Sequence, residues 1–176
     1  MNKLLLTAAL LLSSACSTTA GTEYFALPDS QYQLPDGRGN ETAVQVILAD
    51  PLDHGGLVYQ TDPLHLNFAR QNLWAAPLKP SLEASLANKL NRQPNRHNRF
   101  VPSDRSNKPA QTVKIYIERF NGTYLGHTLI QGYTQWPNGS GRNFQIETPQ
   151  QGDGYSAMVQ SLDQGLERVA NELTAP

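Results

Sequence analysis

The chain has 176 residues, of which 39% are hydrophobic and 16% charged, with a formal net charge of −1. That length suits one domain of roughly 100–200 residues, and the near-neutral balance lacks the basic footprint of a nucleic-acid binder. The single cysteine excludes an internal disulfide and any zinc site built on two or four cysteines.

Met1, Asn2 and Lys3 supply a short positive start, and residues 4–12 form an apolar run broken only by Thr7. The run is nine residues long, against the ~20 needed to cross a bilayer as a helix. Small residues follow at Ser13, Ser14 and Ala15, as a signal-peptidase cleft requires, so residues 1–15 read as a signal peptide. Leu12-Ser13-Ser14-Ala15-Cys16 resembles a bacterial lipobox, in which the cysteine thiol takes a diacylglycerol and the new N terminus an acyl chain. The leucine usual three places before the cysteine stands one place earlier, at Leu12. Each buried methylene contributes ~0.8 kcal/mol, so several acyl chains hold a protein to a membrane almost permanently. Ser17 follows Cys16, where an aspartate commonly retains bacterial lipoproteins at the inner membrane. The expected location is therefore the outer membrane, facing the periplasm. Residues 16–23 form the lipidated tether. From Ser17 to Glu23 it reaches roughly 25 Å at full extension, which keeps the folded part near its own membrane.

Residues 24–176 read as one α/β domain. Residues 24–27 form a short strand ended by Pro28, followed by a polar loop over 31–40. Val44, Val46 and Leu48 alternate with Gln45 and Ile47, giving a strand with one strongly apolar face that Pro51 ends. Residues 56–61 and 65–71 are weaker strand candidates. Leu78, Leu82, Leu86 and Leu90 recur every four residues as one helical stripe, with Pro77 and Pro80 at its start and Pro94 beyond its end. Val113, Ile115 and Ile117 alternate with Lys114, Tyr116 and Glu118 in the clearest strand of the chain. Asn121-Gly122 then offers a tight hairpin turn, since both residues accept positive φ. The return strand runs over 123–136, and residues 137–141 make a second turn into a strand over 143–148. Met158, Val159, Leu162, Leu166, Val169 and Leu173 form the apolar stripe of a C-terminal helix, whose first turn Asp153 or Ser156 can cap. The expected fold class is α/β: a single domain with a mixed, largely antiparallel sheet and a C-terminal three-strand meander, packed by two main helices.

Signs of catalysis are sparse. His54-Gly55-Gly56 is a weak match to the oxyanion loop of lipases, but no G-x-S-x-G nucleophile elbow occurs in the chain. His54, His65, His97 and His127 are scattered, and although Asp62 and His65 sit three apart, no further ligand completes a metal set. No glycine-rich phosphate loop is present. The expectation is a protein without enzymatic activity, cofactor or metal. Asn40, Asn121 and Asn138 each begin an N-x-[ST] sequon and read as coincidental turn residues. Lys89, Arg92, Arg96, His97, Arg99, Arg105 and Lys108 form a basic stretch opposed in sequence only by Asp104. It is either a solvated loop or, through Arg92, Arg96, Arg99 and Arg105, a contact for anionic headgroups at ~1 kcal/mol per charge.

Tyr24-Phe25-Ala26-Leu27-Pro28, then Gly56-Leu57-Val58-Tyr59-Gln60-Thr61, then Asn72-Leu73-Trp74-Ala75-Ala76-Pro77-Leu78 resemble successive signatures of the PqiC family of ABC-type transport auxiliary lipoproteins. Phe120-Asn121-Gly122-Thr123-Tyr124-Leu125-Gly126 continues the resemblance. Gly132, Trp136 and the tail from Gly152-Asp153-Gly154-Tyr155 through Met158-Val159 extend it over essentially the whole mature chain. The resemblance implies an outer-membrane lipoprotein that partners an MCE-domain protein of PqiB type, a class thought to form lipid-carrying tunnels across the periplasm. It also implies a mixed sheet packed with helices, and no catalysis. A domain of this size spends its apolar area on its own core, so a channel wide enough for acyl chains needs several copies. A homo-oligomeric ring is expected, with phospholipid as a candidate ligand. Leu57, Val58, Tyr59, Asn72, Leu73 and Trp74 are the candidate docking residues, because aromatics flanked by apolar residues anchor interfaces well. Core packing is the competing role for Trp74. The alternative function is a structural or assembly lipoprotein of the envelope that conducts no lipid.

Overall fold

The computed structural model describes residues 21–36, 39–94, 98–108 and 111–174. The signal peptide (1–15), Cys16 and the tether up to residue 20 lie outside the described residues, as do Arg96 and His97. In chain order the elements are β1 (Glu23–Phe25), β2 (Asn40–Leu48), β3 (Gly56–Gln60), β4 (Leu66–Trp74), α1 (Leu78–Arg92), β5 (Asn98–Pro102), β6 (Thr112–Thr123), β7 (His127–Gln135), β8 (Gly141–Pro149) and α2 (Gly154–Thr174).

The longest strand, β6, organises the sheet. On one edge its first half pairs in parallel with β2, from Thr112 opposite Ala43 to Ile117 opposite Leu48. Its last two residues, on the same edge, pair in parallel with β3: Gly122 with Tyr59 and Thr123 with Gln60. On its other edge β7 runs antiparallel, and β8 lies antiparallel beyond β7. β5 extends β2 in parallel, β4 pairs antiparallel with β3, and β1 lies parallel to β4. The sheet is mixed as expected. Its longest ladders are the antiparallel ones of the β6–β7–β8 meander, and β2 and β3 both meet β6 in parallel.

Alternation along the strands decides which face is covered. Val113, Ile115 and Ile117 of β6, Ile130 of β7, and Phe144 and Ile146 of β8 are buried. They pack with Leu82, Leu86 and Leu90 of α1 and with Met158, Leu162, Leu166 and Val169 of α2 in one core. Each buried leucine contributes about 1.5–3 kcal/mol. That packing is what holds α1, because its N-cap residue, Pro77, offers no side-chain cap. Where α2 crosses the meander, the buried Ser161 hydroxyl lies 2.8 Å from Thr128 Oγ1 and donates to Thr148 O at 2.8 Å. On the opposite, solvated face Lys114, Glu118, Gln135 and Gln145 are exposed, and the Tyr116 and Tyr133 rings stack at 4.3 Å. No helix among the described residues is long and apolar enough to cross a membrane.

Two sequence expectations are corrected. Asn121-Gly122 is not a turn: both residues lie within β6, opposite Leu129 and Thr128. Gly122 is needed for close approach, since a Cβ there would overlap Met158 Sδ and press on the Tyr59 ring. The turn falls three residues later, with Gly126 at φ 78°, a conformation that favours glycine. The second correction concerns residues 98–102, expected in the basic loop, which form β5. Its Phe100 is buried, and Asn91 of α1 brackets the Phe100 backbone, accepting its N–H at 2.9 Å and donating to its carbonyl at 2.7 Å.

Candidate functional site

β3 and β6 end side by side, at Gln60 and Thr123, so the turns that follow them, residues 61–65 and 124–126, project from the same end of the sheet. In the first turn Asp62 Oδ1 accepts the N–H groups of Leu64 at 2.8 Å and His65 at 3.1 Å. These bonds, the Leu64 N–H foremost and then the His65 ring, hold the Asp62 carboxyl below its usual range. The turn leaves Leu64 88% exposed at its apex. In the second turn the Thr123 hydroxyl donates to His127 O at 2.8 Å, and Leu125 stands 65% exposed beside the exposed Tyr124. The segment leading into α2 fastens here as well, with Gln150 N–H donating to Gly126 O at 3.0 Å.

Between the second turn and the start of α2 lies a cleft of about 520 Å³ whose walls include Tyr59, Thr123, Tyr124, Gln150, Tyr155 and Met158. Ring faces and a thioether give it apolar walls, and phenol and amide groups give it a polar rim, a lining suited to an amphipathic ligand. Tyr155 also packs on Phe25 of β1, ring centroids 6.1 Å apart, which ties β1 to the start of α2.

The candidate docking residues separate into two groups. Leu57, Val58 and Trp74 are buried in the core, and the Trp74 ring packs 6.0 Å from Phe120. Tyr59 is half-buried and lines the cleft. Asn72 and Leu73 are half-buried on β4, opposite Glu23 and Tyr24 of β1. The apolar residues that this chain does present to solvent at the same end are Leu64, Leu66, Phe68, Tyr124 and Leu125. None of them is among the candidate docking residues. Their signal was a leucine inside a Pro/Asp turn, and an aromatic–leucine pair directly before a glycine.

The basic stretch is largely neutralised by residues remote in sequence. Lys89, 2% exposed, sits 2.8 Å from Asp163 and 3.5 Å from Asp29. Arg92 pairs with Asp29 at 2.6 Å and with Glu167 at 3.4 Å, and the Asp29 bond in particular raises its pKa. Arg99 pairs with the buried Glu41 at 2.7 Å. The Glu41 carboxyl is held below its ordinary range, first by the Ser106 hydroxyl and then by Arg99. Arg105 lies 5.7 Å from the centre of the Tyr32 ring. Arg92 and Arg99 therefore serve pairs inside the chain. Arg105 stays exposed, and Arg96 lies outside the described residues.

His65 faces Asp62 at 2.8 Å and His127 faces Glu147 at 3.6 Å. Among the described residues no hydrogen bond joins a histidine to a serine, and no group of three or more acidic, histidine or cysteine side chains is placed to hold a metal ion.

The described residues thus form a two-layer α/β domain with both helices on one sheet face and exposed apolar residues at one end of the sheet. The chain belongs to the family of ABC-type transport auxiliary lipoprotein components, whose pattern it matches over residues 32–174. It is 33% identical over 172 residues to the intermembrane transport lipoprotein PqiC of Escherichia coli strain K12, covering 92% of this chain and 90% of that protein. Among solved structures, the crystal structure of an uncharacterized protein superposes with a TM-score of 0.72 at 29% identity, covering 87% of this chain and 96% of the other. A Xanthomonas campestris protein of the DUF330 family shares the fold at a TM-score of 0.66 and 17% identity, covering 86% of this chain and 92% of the other.

Proposed function

We propose that this protein is the outer-membrane lipoprotein subunit of an intermembrane lipid transport system. It is acylated at Cys16 and docks a periplasmic tunnel built from an MCE-domain, PqiB-like protein onto the outer membrane. The observation that carries this reading is the end-to-end similarity, 33% over 92% of the chain, to a protein named for intermembrane transport. The role is non-catalytic: the subunit supplies a surface and an anchor while the energy source and the conduit belong to its partners. Several copies form the ring needed to surround an acyl chain, because the apolar residues of one domain are already committed to its own core. The tyrosine-lined cleft is where a phospholipid would touch this subunit.

The test is a crosslinked pull-down of the full-length protein from membranes, with Cys16→Ser as the comparison. Recovery of an MCE-domain protein that depends on Cys16 supports the anchored docking subunit. Recovery of envelope scaffolding proteins alone, or of nothing, moves the function to a structural lipoprotein. A native mass that stays monomeric across micromolar concentrations in detergent counts against the ring.

A further inference from the structure

We infer that the two hairpin tips, 61–65 between β3 and β4 and 124–126 between β6 and β7, are a second membrane contact: they seat in the phospholipid bilayer that holds Cys16, and fix the domain's orientation on it. The inference rests on the proposed acylation of Cys16 and adds to it a surface made by the fold itself. The acyl chains of Cys16 supply the attachment, but a lipid-linked N terminus tethers without orienting, and orientation is what the tips add.

Three observations converge on this end of the molecule. The first is where the tether enters. β1 lies parallel to β4, and β4 starts at the tip and runs away from it, so the tip-facing end of β1 is its N-terminal end, Glu23. Glu23 follows Cys16 by seven residues, a reach of about 25 Å at most. Asn72, opposite Glu23, lies six residues along β4 from Leu66, at most about 20 Å and less because β4 bulges opposite Gly56–Val58. The length of chain between the fold and Cys16 therefore suffices to bring the tips to the anchoring membrane.

The second observation is the apolar surface. Leu64 and Leu125 are the apices of the two turns and are largely exposed, and Leu66 and Phe68, each 37% exposed, continue the apolar track along β4 toward β1. Tyr124 flanks the second apex and is also exposed. Leucine at the apex with tyrosine behind it is the order expected at a bilayer boundary, because amphipathic rings settle at headgroup level. The third is charge. Neither tip contains lysine or arginine, and the one carboxylate, Asp62, is engaged by the backbone of its own turn and by His65. The one charge that insertion brings to the bilayer boundary is this hydrogen-bonded carboxylate.

The experiment uses the full-length acylated protein in vesicles of phosphatidylethanolamine and phosphatidylglycerol. Leu64→Cys, Leu125→Cys and, in the β7–β8 turn at the other end, Ser140→Cys are each labelled with the environment-sensitive dye NBD. Acylated Cys16 has no free thiol, so the parent chain takes up no label, which reads the anchor separately. The expected result is a blue shift and a rise of about threefold or more in emission at 64 and 125, quenched by brominated lipids, with 140 unchanged. Labels at 64 and 125 as water-exposed as at 140, in protein that still floats with the vesicles, overturn the inference and leave the anchor standing. A blue shift that brominated lipids do not quench overturns it too, because a protein surface, a second copy included, then covers the tips. A parent chain that labels at Cys16 and fails to float removes the anchor, and the inference with it.

Discussion

The two ends of the sheet are built with the same turn chemistry and carry opposite surfaces. At the β7–β8 turn Asn138 Oδ1 accepts the Ser140 N–H at 3.0 Å and its hydroxyl at 2.7 Å, and the exposed apex is Asn-Gly-Ser. At the β3–β4 turn Asp62 does the same for Leu64 and His65, and the exposed apex is a leucine. The polar side chain at the first position fixes the shape of each turn, so the apex residue is not constrained by folding. A leucine left 88% exposed there owes nothing to the fold, and the proposed membrane contact is what would use it, whereas an exposed asparagine or serine serves the turn itself. The buried signature residues make the reverse case, with Trp74 and Leu57 explained fully by the core.

Truncating a buried signature residue tests that contrast most forcefully. Trp74→Ala removes a ring that is 8% exposed and is expected to cost about 3–5 kcal/mol, read as a lower urea midpoint at unchanged slope. A stable Trp74→Ala protein that has lost its partner would break the division between core and surface. Next in size, Lys89→Ala takes from Asp163 the cation 2.8 Å away, while Asp29 keeps Arg92. Because those carboxylates are partly hydrated, the expected loss is roughly 2 kcal/mol, measured by the same titration. Lys89→Met, which keeps the volume, should recover part of it.

The pH dependence is a subtler effect. The Glu41 carboxyl is depressed in the fold, so its contribution is fully present above the ordinary glutamate value near 4.5 and is lost as pH falls through the depressed value. Glu41→Gln is expected to lower the neutral plateau of a stability–pH curve and to flatten its acid limb in that window, so that the variant and parent curves converge at low pH. The smallest effect on folding belongs to the tips. Leu64→Asn with Leu125→Asn should shift stability by no more than about 0.5 kcal/mol while weakening vesicle contact. A large loss of stability would mean that the tips serve the fold after all.

Most of the framework was legible because it is periodic. The alternations of β2, β6 and β8 and the leucine stripes of α1 and α2 reach the structure nearly unchanged. β5 was not legible, because Asn98, Arg99 and Pro102 mask a strand whose inward residues number only a few, and its place is set by β2 and by Asn91 of α1. Asn121-Gly122 misled for a physical reason: a glycine that suits a turn also suits a strand pressed against a helix, and only the position of Met158 decides between them. The basic stretch looked unopposed since Asp29, Glu41, Asp163 and Glu167 are 58 or more residues away in sequence from the arginines, or on another helix. The tip leucines carried no periodicity at all, and their exposure is a fact of topology.

β1 is three residues long and lies parallel to β4 along Glu23–Asn72, Tyr24–Leu73 and Phe25–Trp74. If the anchoring membrane lies at the tip end, as proposed, a pull between membrane and partner would enter the fold along the axis of this strand. Its ladder hydrogen bonds, with that from Ala75 N–H to Phe25 O at 2.9 Å, then share the load in shear and do not open one after another. A very short strand loaded lengthwise, wedged by Phe25 against Tyr155, would then be the mechanical coupling through which force reaches the rest of the domain.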